Sequence, residues 1–399
     1  MNILILILIY LSFILSNNFN PLFDPVIERN LYHELISTGP YFAYQEFLQK
    51  ANSWVLIAYV LGLLIYLFIE RMFDKKLIIV GSCGAFGLFG ILPMIFGVPA
   101  IIVICTSLVS LFKAILFISL LHFVFLRYNK KHIFLLLIIS QITPVILNLL
   151  GSRSNTILVS ALFILVSGGL FYLLLMRRYV RNEFEEEYEY EMAQKGNSIF
   201  SPITNVLTTR NLILITLYCI SILAFSTINS NALAGIDYHF FNLIRFGRNN
   251  SFTFIIICLL ITAALIFLIK FLNATDKIIY ISLPLLLLCT ILIVENSVPL
   301  KTCHYLYVIS LSLRAIIMIS MLYLIMSFTK KTQFHSSIVV ALTISNLITN
   351  LFIPNIFKKF ATGMEYYDAL STGVIITMVI AYILFIAINL INRGKKNFY

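Results

Sequence analysis

Lys113 stands in the middle of the apolar run LFKAILFISLL (111–121), and Arg314 stands in the similar run SLRAIIMISML (312–322). A cation at the centre of a bilayer costs about 2.5–3.5 kcal/mol on insertion scales, so such a residue faces water, a partner or a ligand. No Asp or Glu lies in the middle third of any apolar run, so an acidic side chain of the spans does not neutralise either cation. The chemistry left to them is recognition of a negative group: a carboxylate, phosphate or sulfate. Arg would hold it with a planar fork and Lys as a mobile point charge. Thr106, Ser110, Lys113 and Phe117 recur at helical spacing and so share one helix face, and Cys303, Tyr307, Ser310 and Arg314 do the same. Such a polar stripe suits a solute wall, although Ser and Thr also serve helix packing in membranes.

A second set of chemistry-bearing residues lies at the ends of the apolar runs. Glu70, Asp74 and Lys75 fall in ERMFDKKLII, and Asp276 and Lys277 in TDKIIYI. Glu70 and Glu295, each at the edge of a run, are the better candidates for carrying a coupling proton. His122, His335 and His304 are read as interfacial histidines rather than proton relays. The pairs Asn18/Asn20 and Asn229/Asn231 close two runs, with Pro21 after the first. An unwound segment that binds a solute, with Asn18 and Asn229 as contacts, and a plain helix terminus both fit these asparagines.

The elements that must position these residues are membrane helices. The chain has 399 residues, 60% hydrophobic and only 11% charged, where a soluble domain carries about 25% charged residues. Apolar runs of about 20 residues match a hydrocarbon layer about 30 Å thick, and backbone groups in lipid must bond internally, so the runs are helices. Twelve spans are expected, roughly 3–22, 52–72, 77–96, 99–126, 132–151 and 155–177, then 211–229, 252–272, 278–295, 303–328, 335–353 and 371–391. The polar, acidic stretch 178–210 separates two six-helix bundles, 1–177 and 211–399. The N-terminal MNILILILIYLSFILS lacks a basic leader and a small-residue cleavage site, so it reads as a retained first helix rather than a signal peptide.

The net charge of +11 follows from basic loops rather than from nucleic-acid binding. Clusters such as Lys75–Lys76, Lys130–Lys131, Lys330–Lys331 and Lys395–Lys396 fall on one side of the membrane if both termini are cytoplasmic. The six cysteines are scattered, with no CxxC pair and no His cluster of ligand spacing. Neither a disulfide framework, a metal site nor a cofactor is expected. In the third span Gly81, Gly84, Gly87 and Gly90 suggest a close-packing surface for a neighbouring helix.

The two halves repeat. KAILFISLL (113–121) is echoed by RAIIMISML (314–322), NKKHIF (129–134) by TKKTQF (329–334), and FDKKLII (73–79) by TDKIIYI (275–281), all at an offset of about 200 residues. An offset of six spans preserves orientation, so the repeats are parallel, as in the two halves of major facilitator transporters.

On these residues the whole chain resembles the major facilitator superfamily. Residues 47–79 look like that family's second helix and its loop signature, Gly-x-x-x-Asp-Arg/Lys-x-Gly-Arg/Lys-Arg/Lys. Asp74 and Lys75 match, Glu70 replaces the first Gly and Leu77 the second; the degenerate copy keeps Asp276 and Lys277. The resemblance implies a gate in which the acid after the second span meets the positive N-terminus of a neighbouring helix. It also implies that the first, fourth, seventh and tenth spans line a central cavity, with Lys113 and Arg314 facing one another. The exporter motif of the fifth span is poorly matched, since SQITPVILNLLG (140–151) keeps Pro144 but has Thr143 before it. The Ile- and Asn-rich composition resembles nutrient transporters of intracellular bacteria, including the phagosomal transporter branch. The expectation is a monomeric secondary transporter, not an enzyme, in a bacterial inner membrane. It moves a small anionic or zwitterionic solute by alternating access, with amino acid import by symport foremost and a proton as the coupling ion. The alternatives are a siderophore or drug exporter of the same fold and, from another class, a lipid-linked glycan flippase or polymerase.

Overall fold

A computed structural model describes residues 2–19, 41–127, 153–175 and 275–294, with scattered positions between 299 and 386. Six helices lie in these stretches: α1 (Asn2–Asn18), α2 (Tyr41–Met72), α3 (Lys75–Ile95), α4 (Pro99–Arg127), α5 (Arg153–Leu175) and α6 (Thr275–Val294). Among the described residues, Lys50–Glu70, Pro99–Val124, Lys75–Ile95 and Leu158–Leu175 are long and apolar enough to cross a membrane. The protein is a multi-pass membrane protein.

Local chemistry sets the helix ends. α1 stops at Asn18, four residues short of the expected end at 22. Pro21 has no N–H and disfavours helical geometry at the residue before it, so the chain leaves the helix at Phe19, whose N–H still reaches the Ser16 carbonyl at 3.3 Å. α2 starts at Tyr41, well before the expected 52. Its first turns, YFAYQEFLQK, mix aromatic residues with Gln45, Glu46, Gln49 and Lys50, so hydropathy alone does not mark them as part of the span. Asp74 separates α2 from α3. Its backbone is extended (φ −62°, ψ 137°) and its carboxylate accepts from the Lys76 N–H, as an N-cap does. Pro99 opens α4 at the first helical position, where its missing N–H costs nothing.

Cα positions divide the chain into two compact units, Met1–Ser201 with Lys330–Val339, and Pro202–Thr329 with Val340–Tyr399. In the first unit α2 packs on α4, α3 on α4 and α5, and α1 on α4 and α5. Small residues let these helices approach. A Cβ at Gly62 would collide with the Leu111 carbonyl oxygen, and one at Gly87 would come 2.6 Å from the Leu165 Cβ. Of the four glycines expected to form a packing surface on α3, Gly87 and Gly90 do so, while a Cβ at Gly81 or Gly84 would meet nothing within 4 Å. On α5 the buried Ala161, Ile164 and Phe171 lie opposite Val159, Leu162, Val166 and Leu173, which are all exposed and all apolar. Apolar side chains on both faces are what a bundle immersed in lipid requires.

In the second unit, α6 begins one residue before Asp276 and buries Leu283, Leu286 and Cys289. Leu313, Ile316 and Ile317, around Arg314, are helical and buried.

Candidate functional site

Two polar sites occupy α4. The first is at its middle: Lys113 is the central residue of the 29 in α4. Phe13 of α1 stacks on Phe117 of α4 (centroids 4.9 Å apart, 27° between planes). Just past the end of α1, Phe19 reaches Lys113, whose Nζ donates to the Phe19 carbonyl at 3.4 Å. The two helices are therefore antiparallel, and the C-terminal end of α1 comes against the middle of α4. With 17 residues, α1 rises about 25 Å, less than the roughly 30 Å of hydrocarbon. A helix end leaves carbonyls without intrahelical partners and carries a partial negative charge. Lys113 supplies both a donor and a countercharge there. The Phe19 ring is held on the other side, packed on Phe86 (centroids 4.9 Å, 60°) and over Gly90 of α3.

The stripe expected on the fourth span is a single face, and Phe117 and Lys113 on it meet Phe13 and Phe19. Phe117, Ser110 and Thr106 are buried at 8%, 7% and 1% exposure. The Thr106 hydroxyl donates to the Ile102 carbonyl one turn back, at 2.6 Å, a bond that satisfies it within its own helix. Asn18 is the last residue of α1.

The second site lies two and a half turns further along α4, about 13 Å by helical rise. Here Tyr66 and Glu70 of α2, Lys75 at the start of α3 and His122 of α4 meet. The His122 Nδ1 is 3.2 Å from Glu70 Oε1 and 3.1 Å from the Tyr66 hydroxyl. Its Nε2 is 3.4 Å from Lys75 Nζ, and Lys75 Nζ is 4.0 Å from the same Glu70 oxygen. The partners decide the tautomer. An ammonium only donates and a carboxylate only accepts, so Nε2 accepts from Lys75 while Nδ1–H donates to Glu70 and is shared with Tyr66. The imidazole is then neutral, between one anion and one cation.

His122, read from the sequence as an interfacial histidine, is 1% exposed, and its ring nitrogens find partners on both α2 and α3. Tyr66 was missed altogether. Its spacing from Glu70, one helical turn on the same face, was the available signal. Glu70 and Lys75 are brought together as one cluster. Asp74 turns away from it to cap α3, its Oδ1 accepting from the Lys76 N–H at 3.1 Å. Asp276 and Lys277 occupy the first turn of α6. Arg314, Tyr307, Ser310, Asn229 and Glu295 lie outside the described residues.

Neither a protein-family model nor a curated protein matches the sequence. Among solved structures the chain is similar to the major facilitator superfamily proton:xylose symporter XylE bound to 6-bromo-6-deoxy-D-glucose. The TM-score is 0.65, with 11% identity, over 95% of this chain and 94% of that chain. The likeness establishes the fold: the chain has the major facilitator architecture that its internal repeats led one to expect.

Proposed function

We propose that the protein is a secondary transporter of a small anionic or zwitterionic solute, foremost an amino acid, in a bacterial inner membrane. It works by alternating access of two six-helix bundles, 1–177 and 211–399, joined by a cytoplasmic 178–210, with both termini cytoplasmic. The observation that carries this is Lys113, a cation at the centre of α4 beside the C-terminal end of α1, in a major facilitator fold. Transporter sites lie near the bilayer midplane, where helices are discontinuous. An ammonium has three donors, enough to serve the Phe19 carbonyl and a solute carboxylate together. Arg314, the counterpart of Lys113 in the second half, serves the same negative group, with Ser110, Thr106, Tyr307, Ser310, Asn18 and Asn229 as flanking contacts. The similar solved structure is a proton:xylose symporter, which supports proton coupling here. The membrane-centre cation favours a solute with a negative group over a neutral sugar. Asp74 and Lys75, with Asp276 and Lys277, act as gates, and Glu70 and Glu295 take part in proton coupling.

The test is binding of labelled amino and organic acids by purified, correctly inserted protein. Charge-assisted hydrogen bonds contribute about 1.5–3 kcal/mol, so Lys113→Ala and Arg314→Ala should each weaken binding by about one to two decades. Arg314→Lys should recover part of the loss, and Lys113→Arg should be milder than Lys113→Ala. Normal binding and uptake by both alanine variants would show that the cations only brace the helices.

A further inference from the structure

We propose that His122 is a proton-binding site in which a proton displaces Lys75. Its consequence for transport rests on the reading above, while the exchange itself rests on the geometry of the cluster. Glu70 is a single carboxylate sealed from solvent, its side chain 2% exposed, and His122 is 1% exposed. Each needs its charge or its hydrogen bonds balanced locally. With a neutral imidazole, Glu70 is negative, Lys75 positive, and His122 bridges them.

Protonation changes this in one way. The added proton binds Nε2, the nitrogen that accepts from Lys75 Nζ at 3.4 Å. An imidazolium has two donors and no acceptor, so the Lys75 hydrogen bond is lost and two cations are left against each other beside one carboxylate. Nδ1–H keeps its bond to Glu70 at 3.2 Å, so the imidazolium takes over as the counter-cation. Lys75 is the group that leaves, because its side chain is 13% exposed where its partners are sealed. The exchange conserves charge inside the cluster: one proton enters and one ammonium moves out to water. Deprotonation reverses it.

The neighbouring groups are consistent with this assignment. From α2 the ring meets Tyr66 and Glu70, with Arg71 next in the chain. From the α3 side come Lys75, the buried Lys76 and Asp74, whose carboxylate is engaged in capping α3. α1, also packed on α4, carries Tyr10 as its one titratable side chain. On α4 itself Arg127 follows five residues on in the chain, and Lys113 is more than two turns away. Lys75 is also the first residue of α3, directly after the Asp74 cap, so moving its side chain acts on the α2–α3 turn. Proton binding at His122 is thereby transmitted to the turn proposed above as a gate.

The experiment is a pH titration of full-length protein in lipid nanodiscs, labelled with nitrogen-15 histidine. The chain has six histidines, and His122→Gln identifies the resonances of interest. The expected result is a neutral Nδ1–H tautomer at high pH that becomes an imidazolium in one single-proton step between about pH 5 and 8. In Lys75→Met, where no cation must be expelled, the step should move to higher pH by about one unit, a tenfold change in proton affinity. In Glu70→Gln it should move the other way. Lys75 is at the solvent edge, so Lys75→Met carries the test even if His122→Gln or Glu70→Gln does not insert, with the His122 resonances then found as the pair that responds to Lys75→Met. A His122 that stays neutral over this range, or titrates as the Nε2–H tautomer, overturns the proposal. So does a titration that Lys75→Met leaves in place. None of these readouts uses the solute, so a wrong substrate class would leave the result standing.

Discussion

At Asp74, charge and hydrogen bonding can be separated by a change of one atom. Asn caps a helix as well as Asp, so Asp74→Asn keeps an acceptor for the Lys76 N–H and removes only the negative charge. If the charge is part of a gate, this variant melts at the wild-type temperature and binds solute as before, but takes it up more slowly in proteoliposomes. Asp74→Ala loses the cap as well, which costs about 1 kcal/mol and should lower the melting temperature. An Asn variant with wild-type uptake would reduce the role of Asp74 to the cap. Charged side chains such as Lys113 and Glu70 were legible in the sequence because an ion among apolar residues is conspicuous. Their partners were not. The acceptor for Lys113 is a main-chain carbonyl, which every residue has, and Tyr66 and His122 are ordinary residue types near a membrane surface.

Helix limits depend on a few residues, and helix faces on none that stand out. Asp74, Pro99 and Pro21 mark three of the boundaries, each through a specific effect on backbone hydrogen bonding. Which face of α5 would be buried could not be read from the chain, since Val159 and Val166 outside are as apolar as Ile164 and Phe171 inside. What selects the inner face is space. Gly168 lets the Cys83 Cβ approach to 2.9 Å of where its own Cβ would stand, and Gly87 does the same for α5. The α2–α4 contact behaves alike at Gly62. Gly62→Leu should therefore force α2 off the Leu111 carbonyl and Ala114, with overpacking costs of about 1–3 kcal/mol or more. Gly81→Ala, with nothing within 4 Å, should be neutral or stabilise by about 0.5–1 kcal/mol. Thermal unfolding of the purified variants in detergent measures both. A Gly62→Leu protein as stable as wild type would mean that the two helices do not cross there.

For the whole molecule, the proposed orientation is tested by reporter fusions at residues 40, 190 and 395. The first should report the outside and the other two the cytoplasm, and an external reporter at 190 or 395 would overturn the topology and the six-plus-six division with it. The sequence by itself determined that this is a helical membrane protein, because hydrocarbon imposes length and apolarity on every span, and its echoes at a constant offset led to the expectation of two related halves. It also pointed to the major facilitator architecture, which the structural likeness bears out. It could not determine which polar groups meet. Only the tertiary structure set the end of α1 against Lys113 and closed Glu70, Lys75, Tyr66 and His122 around one imidazole. Those contacts join residues 47 to 94 positions apart across three helix pairs. They depend on how closely small residues let the helices approach, and hydropathy does not record that distance.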